Sequence, residues 1–306
     1  MIAHWDDVEG RLQELGHLRA TWYDLGSAAG SRTVGVTRLR MDEGGIPTPA
    51  HVHQDEEEIF FVLAGSGLSW QDGKTYEVRG GDTIVHRVFQ EAHTLRAGPD
   101  GLDVLAFGQR GRGVSAVLPR AGVMWAWPSW VEVGKGDRPW AREAAAGPPE
   151  FPPPETERPE TIRAREETEM ITNEREGHRA RARRLAPPPI AESTGLNFVQ
   201  LEPGQMGPPP HCHSAEEELF VVLDGGGVVV LGEEEHELRR GHVVARPPAT
   251  RVAHAFRAGD AGLTYLAYGT REPNDICFYP RSNKIAWRGV GVIGRVEQLD
   301  YWDGED

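Results

Sequence analysis

The feature that most constrains this 306-residue chain is a stretch that it writes twice. His51-Val52-His53-Gln54-Asp55-Glu56-Glu57-Glu58-Ile59-Phe60-Phe61-Val62-Leu63-Ala64-Gly65 is followed by His211-Cys212-His213-Ser214-Ala215-Glu216-Glu217-Glu218-Leu219-Phe220-Val221-Val222-Leu223-Asp224-Gly225. The displacement is constant: His51 to His211, His53 to His213, Glu58 to Glu218 and Gly65 to Gly225 are all the same interval. A self-similarity of this length means two copies of one structural unit. The match continues well beyond the motif: Leu102–Gly108 aligns with Leu263–Gly269, Pro119-Arg120 with Pro280-Arg281, and Gly16-His17 with Gly177-His178.

The spacing carries a geometry. In an extended strand residues i and i+2 point to one face, so His51 and His53 project together while Val52 points away. Ile59 to Leu63 is the short apolar run of a buried strand, and Glu58 stands at its head. On that strand Glu58, Phe60 and Val62 share a face, which predicts Glu58 turned inward beside the two imidazoles above an apolar interior. A third histidine follows in each copy, His93 and His254, and the second copy has gained a single position on the way to it. The candidate metal ligands are therefore His51, His53, Glu58 and His93 in the first copy and His211, His213, Glu218 and His254 in the second. Three neutral imidazoles and a carboxylate suit a divalent transition metal: Fe, Mn, Ni, Zn, Co or Cu.

These motifs, with Gly45 and Gly204 ahead of them and Gly65 and Gly225 closing them, resemble those of the cupin superfamily, and two copies resemble a bicupin. The family's second motif matches in part: Pro247 stands at its proline, where the first copy has Arg87, and the glycine that precedes the third histidine is missing from both copies. The resemblance covers residues 16–125 and 177–290. It implies an all-β protein of two double-stranded β-helix (RmlC-like, jelly-roll) barrels in tandem, with one metal in the mouth of each. It also implies pairing into a homodimer.

Independently of that resemblance, many short apolar runs punctuated by glycine, with an Asp72-Gly73 hairpin signal, point to an all-β barrel. The domain boundaries drawn from the sequence are a first barrel over 1–127, a proline-rich and charged linker over 128–176, and a second barrel over 177–306. In the linker, Pro148, Pro149 and Pro152 to Pro154 favour extended chain. Residues 160–172 are expected to hold a short helix, as is the N-terminus, where Val8, Leu12 and Leu15 fall at helical spacing. Trp125, Trp127 and Trp130 are expected to pack rather than to bind.

Composition narrows the partners. With 47 acidic against 33 basic residues the formal charge is −14, which excludes nucleic acid and an anionic membrane as main partners. No apolar run approaches the ~20 residues of a membrane span, the N-terminus lacks a signal-peptide core, and two cysteines make no disulfide framework. The expected setting is cytoplasmic and the expected partner a small-molecule substrate. Cys212, between two ligands, is read as packing.

Three His and one Glu leave up to two positions open on a six-coordinate ion, the mark of a catalytic metal. The leading expectation is a dioxygenase-like oxidoreductase, with Phe60 and Phe220 lining a dry pocket, Arg87 and Arg246 available to an anionic substrate, and Glu58 or Glu218 able to act as base on leaving the metal. The alternatives are a non-redox isomerase, hydrolase or decarboxylase, and a binding module without turnover. Oxalate decarboxylase-like bicupins carry an arginine three residues ahead of the first ligand histidine, where this chain has Thr48 and Pro208, and gentisate dioxygenase-like bicupins lack the glutamate that this chain keeps twice. His86, His236 and His242 are read as bystanders.

Overall fold

The computed structural model describes residues 2–110, 115–126, 129–132 and 139–305. Trp127 and the boundary drawn at 127/128 lie outside them. The chain is all-β. Each repeat forms one barrel from an eight-stranded sheet and a four-stranded sheet. In the first barrel the large sheet is centred on two long strands, Glu58–Gln71 and His93–Gln109, with Val34–Met41 and Leu18–Asp24 beyond; the small sheet carries Val52–His53 beside Ser115–Leu118. The second barrel repeats this with Glu218–Leu231, His254–Thr270, Thr194–Leu201 and His178–Arg184, and with Cys212–His213 beside Ile276–Tyr279.

The long strands reach around the barrel because they are bent. The pairing of Glu58–Gln71 with His93–Gln109 shifts register between Val62 and Ala64 and again between Gly65 and Gly67. Such bulges sharpen twist and turn a strand at a barrel corner. Gly65 sits there at φ +81°, where a Cβ would come within 2.2 Å of the Gly101 carbonyl oxygen. Gly225 repeats the arrangement against Gly262. The glycine that closes each motif is thus a requirement of the corner.

The first strand of each repeat is exchanged. Ile2–His4 pairs with His242–Arg246 in the second barrel, and Ile162–Ala164, its counterpart in the second copy, pairs with Asp82–His86 in the first. Strands therefore cross the boundaries drawn from the sequence: Ile162–Ala164 and Met170–Arg175 lie within the stretch read as linker and belong to the first and second large sheets respectively. The helix expected over 160–172 is instead these two strands around a 3-10 turn, Arg165–Glu167. Ile162 is buried across the first sheet, so its partner lies in another part of the chain and local periodicity carries no trace of it. The N-terminal helix is likewise replaced by a strand pair, Arg11–Leu15 with Leu18–Asp24, on which Leu12 is 55% and Leu15 38% exposed. Their helical spacing marks no buried face.

The two large sheets pack against each other. Ile59 and Phe61, on the face opposite Glu58 and Phe60, join Val85, Leu105 and Phe107 and their counterparts Leu219, Val221, Ala245, Leu266 and Tyr268 in one core shared by both barrels. Phe107 and its equivalent Tyr268 meet with ring centroids 5.1 Å apart. This explains why Ile59 to Leu63 is apolar without alternation: one side of the strand fills its own barrel and the other fills the joint. Polar contacts reinforce the joint reciprocally. The buried Glu57 carboxylate accepts hydrogen bonds from the backbone N–H groups of Glu192, Ser193 and Thr194 (2.6, 3.1 and 3.0 Å) and from both hydroxyls. Glu217 accepts them from Arg32 and Thr33.

Removing the Glu57 carboxylate strands these buried donors. Hydrogen bonds to a charge contribute about 1.5–3 kcal/mol each and are not additive. Glu57→Ala is expected to destabilise the protein by about 3 kcal/mol or more, and Glu217→Ala by less because it has fewer partners. Urea unfolding of the two variants checks the order; equal, small shifts would show that the clamp contributes little.

Candidate metal centres

The first barrel brings its three histidines and its glutamate together, and the second groups Glu218 with His211 and His254. His51 and His93 form a bridge between the approach loop and the strand His93–Gln109, His53 lies on the small sheet, and Glu58 opens the central strand. The coordinating atoms of all four side chains lie within 4.8 Å of one another. Glu58 Oε2 is 3.0 Å from His93 Nε2, 3.5 Å from His53 Nε2 and 3.7 Å from His51 Nε2, and the last two nitrogens are 3.2 Å apart. Metal bonds of about 2.1 Å place neighbouring donors roughly 3.0 Å apart in an octahedron and roughly 3.4 Å apart in a tetrahedron. The separations fit a metal ion.

The backs of the rings are fixed as a metal ligand requires. His51 Nδ1–H donates to the Pro49 carbonyl (2.9 Å), His211 Nδ1–H to the Pro209 carbonyl (2.8 Å), and His93 Nδ1–H to the Glu91 carbonyl (3.3 Å). Each leaves Nε2 with its lone pair toward the group. His53 Nδ1 faces Glu56 at 2.8 Å, and His213 Nδ1–H donates to Asp275 at 2.7 Å. Burial alone would lower the His53 pKa, but Glu56 and Glu58 outweigh it and raise it to about 10. Burial likewise opposes the Glu58 charge, and the three surrounding imidazoles hold its carboxyl well below the usual range. Burial and the neighbouring His86 and His51 push His93 down. A group arranged this way holds a proton where a cation would sit.

The second group is looser. His254 Nε2 and His213 Nε2 lie 3.1 and 3.5 Å from Glu218 Oε2. The His213 and His254 rings are 6.5 Å apart, against 5.8 Å for His53 and His93. His213 groups with His211 and Cys277 instead. Asp275 draws it that way; burial opposes the Asp275 charge, but the bond from His213 and those from backbone N–H groups hold its pKa down to about 2. Cys212 is half-buried and belongs to neither group; the buried cysteine beside the imidazoles is Cys277.

The other candidates separate. Phe60 and Phe220 lie beneath their groups, with ring centroids 6.1 Å from His93 and 5.4 Å from His254. Arg87 is not brought to the group: its guanidinium bonds the Ile190 carbonyl and Glu160. Arg246 is brought there, because it pairs across the sheet with Glu218. It is buried, its Nη2–H bonds the Val252 carbonyl, and its Nε–H has no partner among the described residues. His86 holds the matching place opposite Glu58. Far from being a bystander, it stacks on His93 at 3.6 Å with its Nδ1 3.0 Å from Glu91. Sequence reasoning missed this equivalence, along with Glu56, Asp275 and Cys277. Glu56 had a signal in its His-x-x-Glu spacing from His53; Asp275 and Cys277 come from a segment beyond the histidine motifs.

Comparison with known proteins agrees with this architecture. Residues 37–97 and 197–267 match the cupin domain family Cupin_2. The chain thus carries two cupin domains in tandem, one in each barrel. Among solved structures it is similar to oxalate decarboxylase from Bacillus subtilis (17% identity, 88% of this chain and 75% of that one, TM-score 0.59). It is also similar to the Lactobacillus farciminis oxalate decarboxylase formate complex (16%, 90% and 88%, 0.59). A further Bacillus subtilis oxalate decarboxylase structure, described for its Mn(II) centres, matches at 17% identity over 90% of this chain and 78% of that one, with a TM-score of 0.58. No curated protein sequence matches the chain. Among the described residues no helix is long and apolar enough to cross a membrane.

The geometry predicts about two divalent ions per chain, falling to one in His51→Ala/His53→Ala and to one in His211→Ala/His213→Ala, measured by elemental analysis. The raised His53 pKa adds a pH dependence. The metal-free first centre keeps a proton up to about pH 10, and the metal must displace it. Apparent affinity is therefore expected to rise with pH between 7 and 9, by about tenfold per unit for one proton released. Proton release on titrating metal into weakly buffered protein checks it, and no release would show the centre is deprotonated beforehand.

Proposed function

We propose that the protein is a metal-dependent lyase that releases CO2 from a small carboxylic acid. The observation that carries this reading is the His3Glu group of the first barrel, whose donors are all nitrogen and oxygen, inside a barrel whose fold is that of oxalate decarboxylases. Such a donor set accepts Mn(II) readily. The fold likeness to oxalate decarboxylases, and not the donor set, ranks the non-redox reading above the dioxygenase-like one. His51, His53, Glu58 and His93 would hold one ion, and His211, His213, Glu218 and His254 the other. When bound, the metal supplies Lewis-acid charge to a substrate carboxylate and an open position for it. The chain supplies a dry interior, in which Phe60 and Phe220 exclude water, and a fixed ring orientation through Pro49, Glu91 and Asp275. The balanced reaction breaks the C–C bond to the carboxylate and delivers a proton to the carbon that keeps the electron pair.

Oxalate itself is not the favoured substrate. Thr48 and Pro208 stand where oxalate decarboxylase-like bicupins have an arginine, and Thr48 is engaged with Thr94. A second reading, an anion-binding second barrel, has Arg246 and its unpaired Nε–H in its favour.

The test is a panel of small carboxylic acids with Mn(II)-loaded protein, following CO2 and O2 together. CO2 release without stoichiometric O2 uptake is expected, and combining both double-histidine substitutions abolishes it. Stoichiometric O2 consumption, with Fe(II) as the active metal, would restore the oxidoreductase reading.

A further inference from the structure

The two centres repeat the same histidines and glutamate, but one neighbouring atom differs in kind. Residues directly opposite each other in an antiparallel pair project from the same face of a sheet. In the small sheet of the first barrel Ala116 stands opposite His53; in that of the second, Cys277 stands opposite His213. A methyl group beside the motif's second histidine in one barrel is therefore a thiol in the other. Cys277 is 4% exposed, and its sulfur lies within 4.8 Å of a coordinating nitrogen of both His211 and His213. Cys212, next to His213 in the chain, pairs with Phe278 and joins no such group among the described residues.

The His213 ring is turned for this neighbour. Asp275 accepts its Nδ1–H at 2.7 Å, which leaves Nε2 as the nitrogen free to coordinate. That Nε2 is buried and, although 3.5 Å from Glu218, makes no hydrogen bond among the described residues. The matching nitrogen of His53 lies 3.2 Å from His51 Nε2. Asp275 immediately precedes the strand Ile276–Tyr279, so one segment both fixes the ring and presents the sulfur. With bonds of about 2.1 Å to nitrogen and 2.3 Å to sulfur, a tetrahedral ion sets such donors roughly 3.6 Å apart, within the spacing observed. Burial of the donor atoms is no obstacle, because a bare ion needs less room than a water molecule. Burial pushes the free thiol up to about 12, so it stays protonated until an ion displaces its proton to solvent.

We infer that Cys277 Sγ joins His211 and His213 as a donor to the ion of the second centre. Thiolate favours Zn(II), whereas nitrogen and oxygen donors alone suit Mn(II). The second centre is accordingly a zinc-type site, and the first, with Ala116 at the matching place, is the manganese-type one. The inference rests on the metal-binding reading of the second centre and is independent of the reaction class.

The experiment is titration of Co(II) into the metal-free full-length protein, read by absorption and by bound cobalt after desalting. Thiolate bound to Co(II) gives a near-ultraviolet sulfur-to-metal charge-transfer band, which imidazole and carboxylate donors do not give. Wild type is expected to bind two cobalt ions and to show the band with the intensity of one thiolate per chain. His51→Ala/His53→Ala and Cys212→Ala keep the band, and His211→Ala/His213→Ala loses it. Cys277→Ala and the near-isosteric Cys277→Ser both lose it while the first centre still fills. Both also weaken Zn(II) at the second centre, in competition with a chelator, by about tenfold or more. Cobalt bound at the second centre without the band overturns the thiol ligand and leaves the metal reading standing, whereas failure of any ion to bind there overturns both. A band that survives the Cys277 substitutions, or that disappears with Cys212→Ala or with His51→Ala/His53→Ala, also overturns the assignment.

Discussion

Three adjacent carboxylates, Glu56-Glu57-Glu58, hold this structure together by going to three different places. Glu58 turns into the barrel and meets the imidazoles. Glu57 crosses to the other repeat and collects the N–H groups that open the strand Thr194–Leu201. Glu56 turns back to the Nδ1 of His53. Neighbouring side chains of a strand alternate in direction, and the turn that enters the strand frees the first of the three to fold back. The same backbone segment therefore sets the metal centre, the support behind one of its rings and the joint between barrels. A shift of this segment by one residue would exchange the roles of all three, which is why register here is fixed so tightly.

The joint and the centres are consequently one mechanical unit. Glu58 and Glu57 are consecutive, and Glu57 is fastened to residues 192–194, which lead into the second barrel's core strand. Glu217, beside Glu218, is fastened to Arg32 and Thr33, which lead into Val34–Met41. Each centre is therefore anchored through backbone to the opposite barrel. With the first strands exchanged as well, neither barrel has a complete large sheet without the other repeat. A half-chain would lose an edge strand, the partners of a buried carboxylate and one side of a shared core at once.

What was legible in the sequence follows from what repeats. The constant offset between the copies exposed both ligand sets and the corner glycines, because strand alternation converts His-x-His directly into a shared face. The strand exchange also left a trace, since Ile2 and Ile162 stand at that same offset, but pairing partners are not encoded locally and the linker's composition hid a strand as short as Ile162–Ala164. The equivalence of His86 and Arg246 was hidden for a related reason. It depends on the register Glu58↔His86 across a hairpin, whereas motif matching sets histidine against histidine.

Divergence between the two centres is concentrated where the ligands are not. The ligand positions keep their residue types, yet the places around them differ: His86 against Arg246, Ala116 against Cys277, Leu95 against Phe256, Val104 against Tyr265, Trp22 against Ala182. Ala116 and Cys277 are each paired with the second histidine of their motif, so the thiol is an addition to the second centre at a fixed register position. In the first barrel Phe60 is the ring beneath the group and Trp22 stands at the side; in the second Phe256 and Tyr265 pack beside Phe220 and alanine takes the place of Trp22. Packing density must be met in both interiors. Moving the aromatic bulk from one side of the barrel to the other keeps the interior packed while changing the side chains next to the ligand glutamate. Two identical ligand sets can therefore serve different purposes without a single change among the ligands themselves.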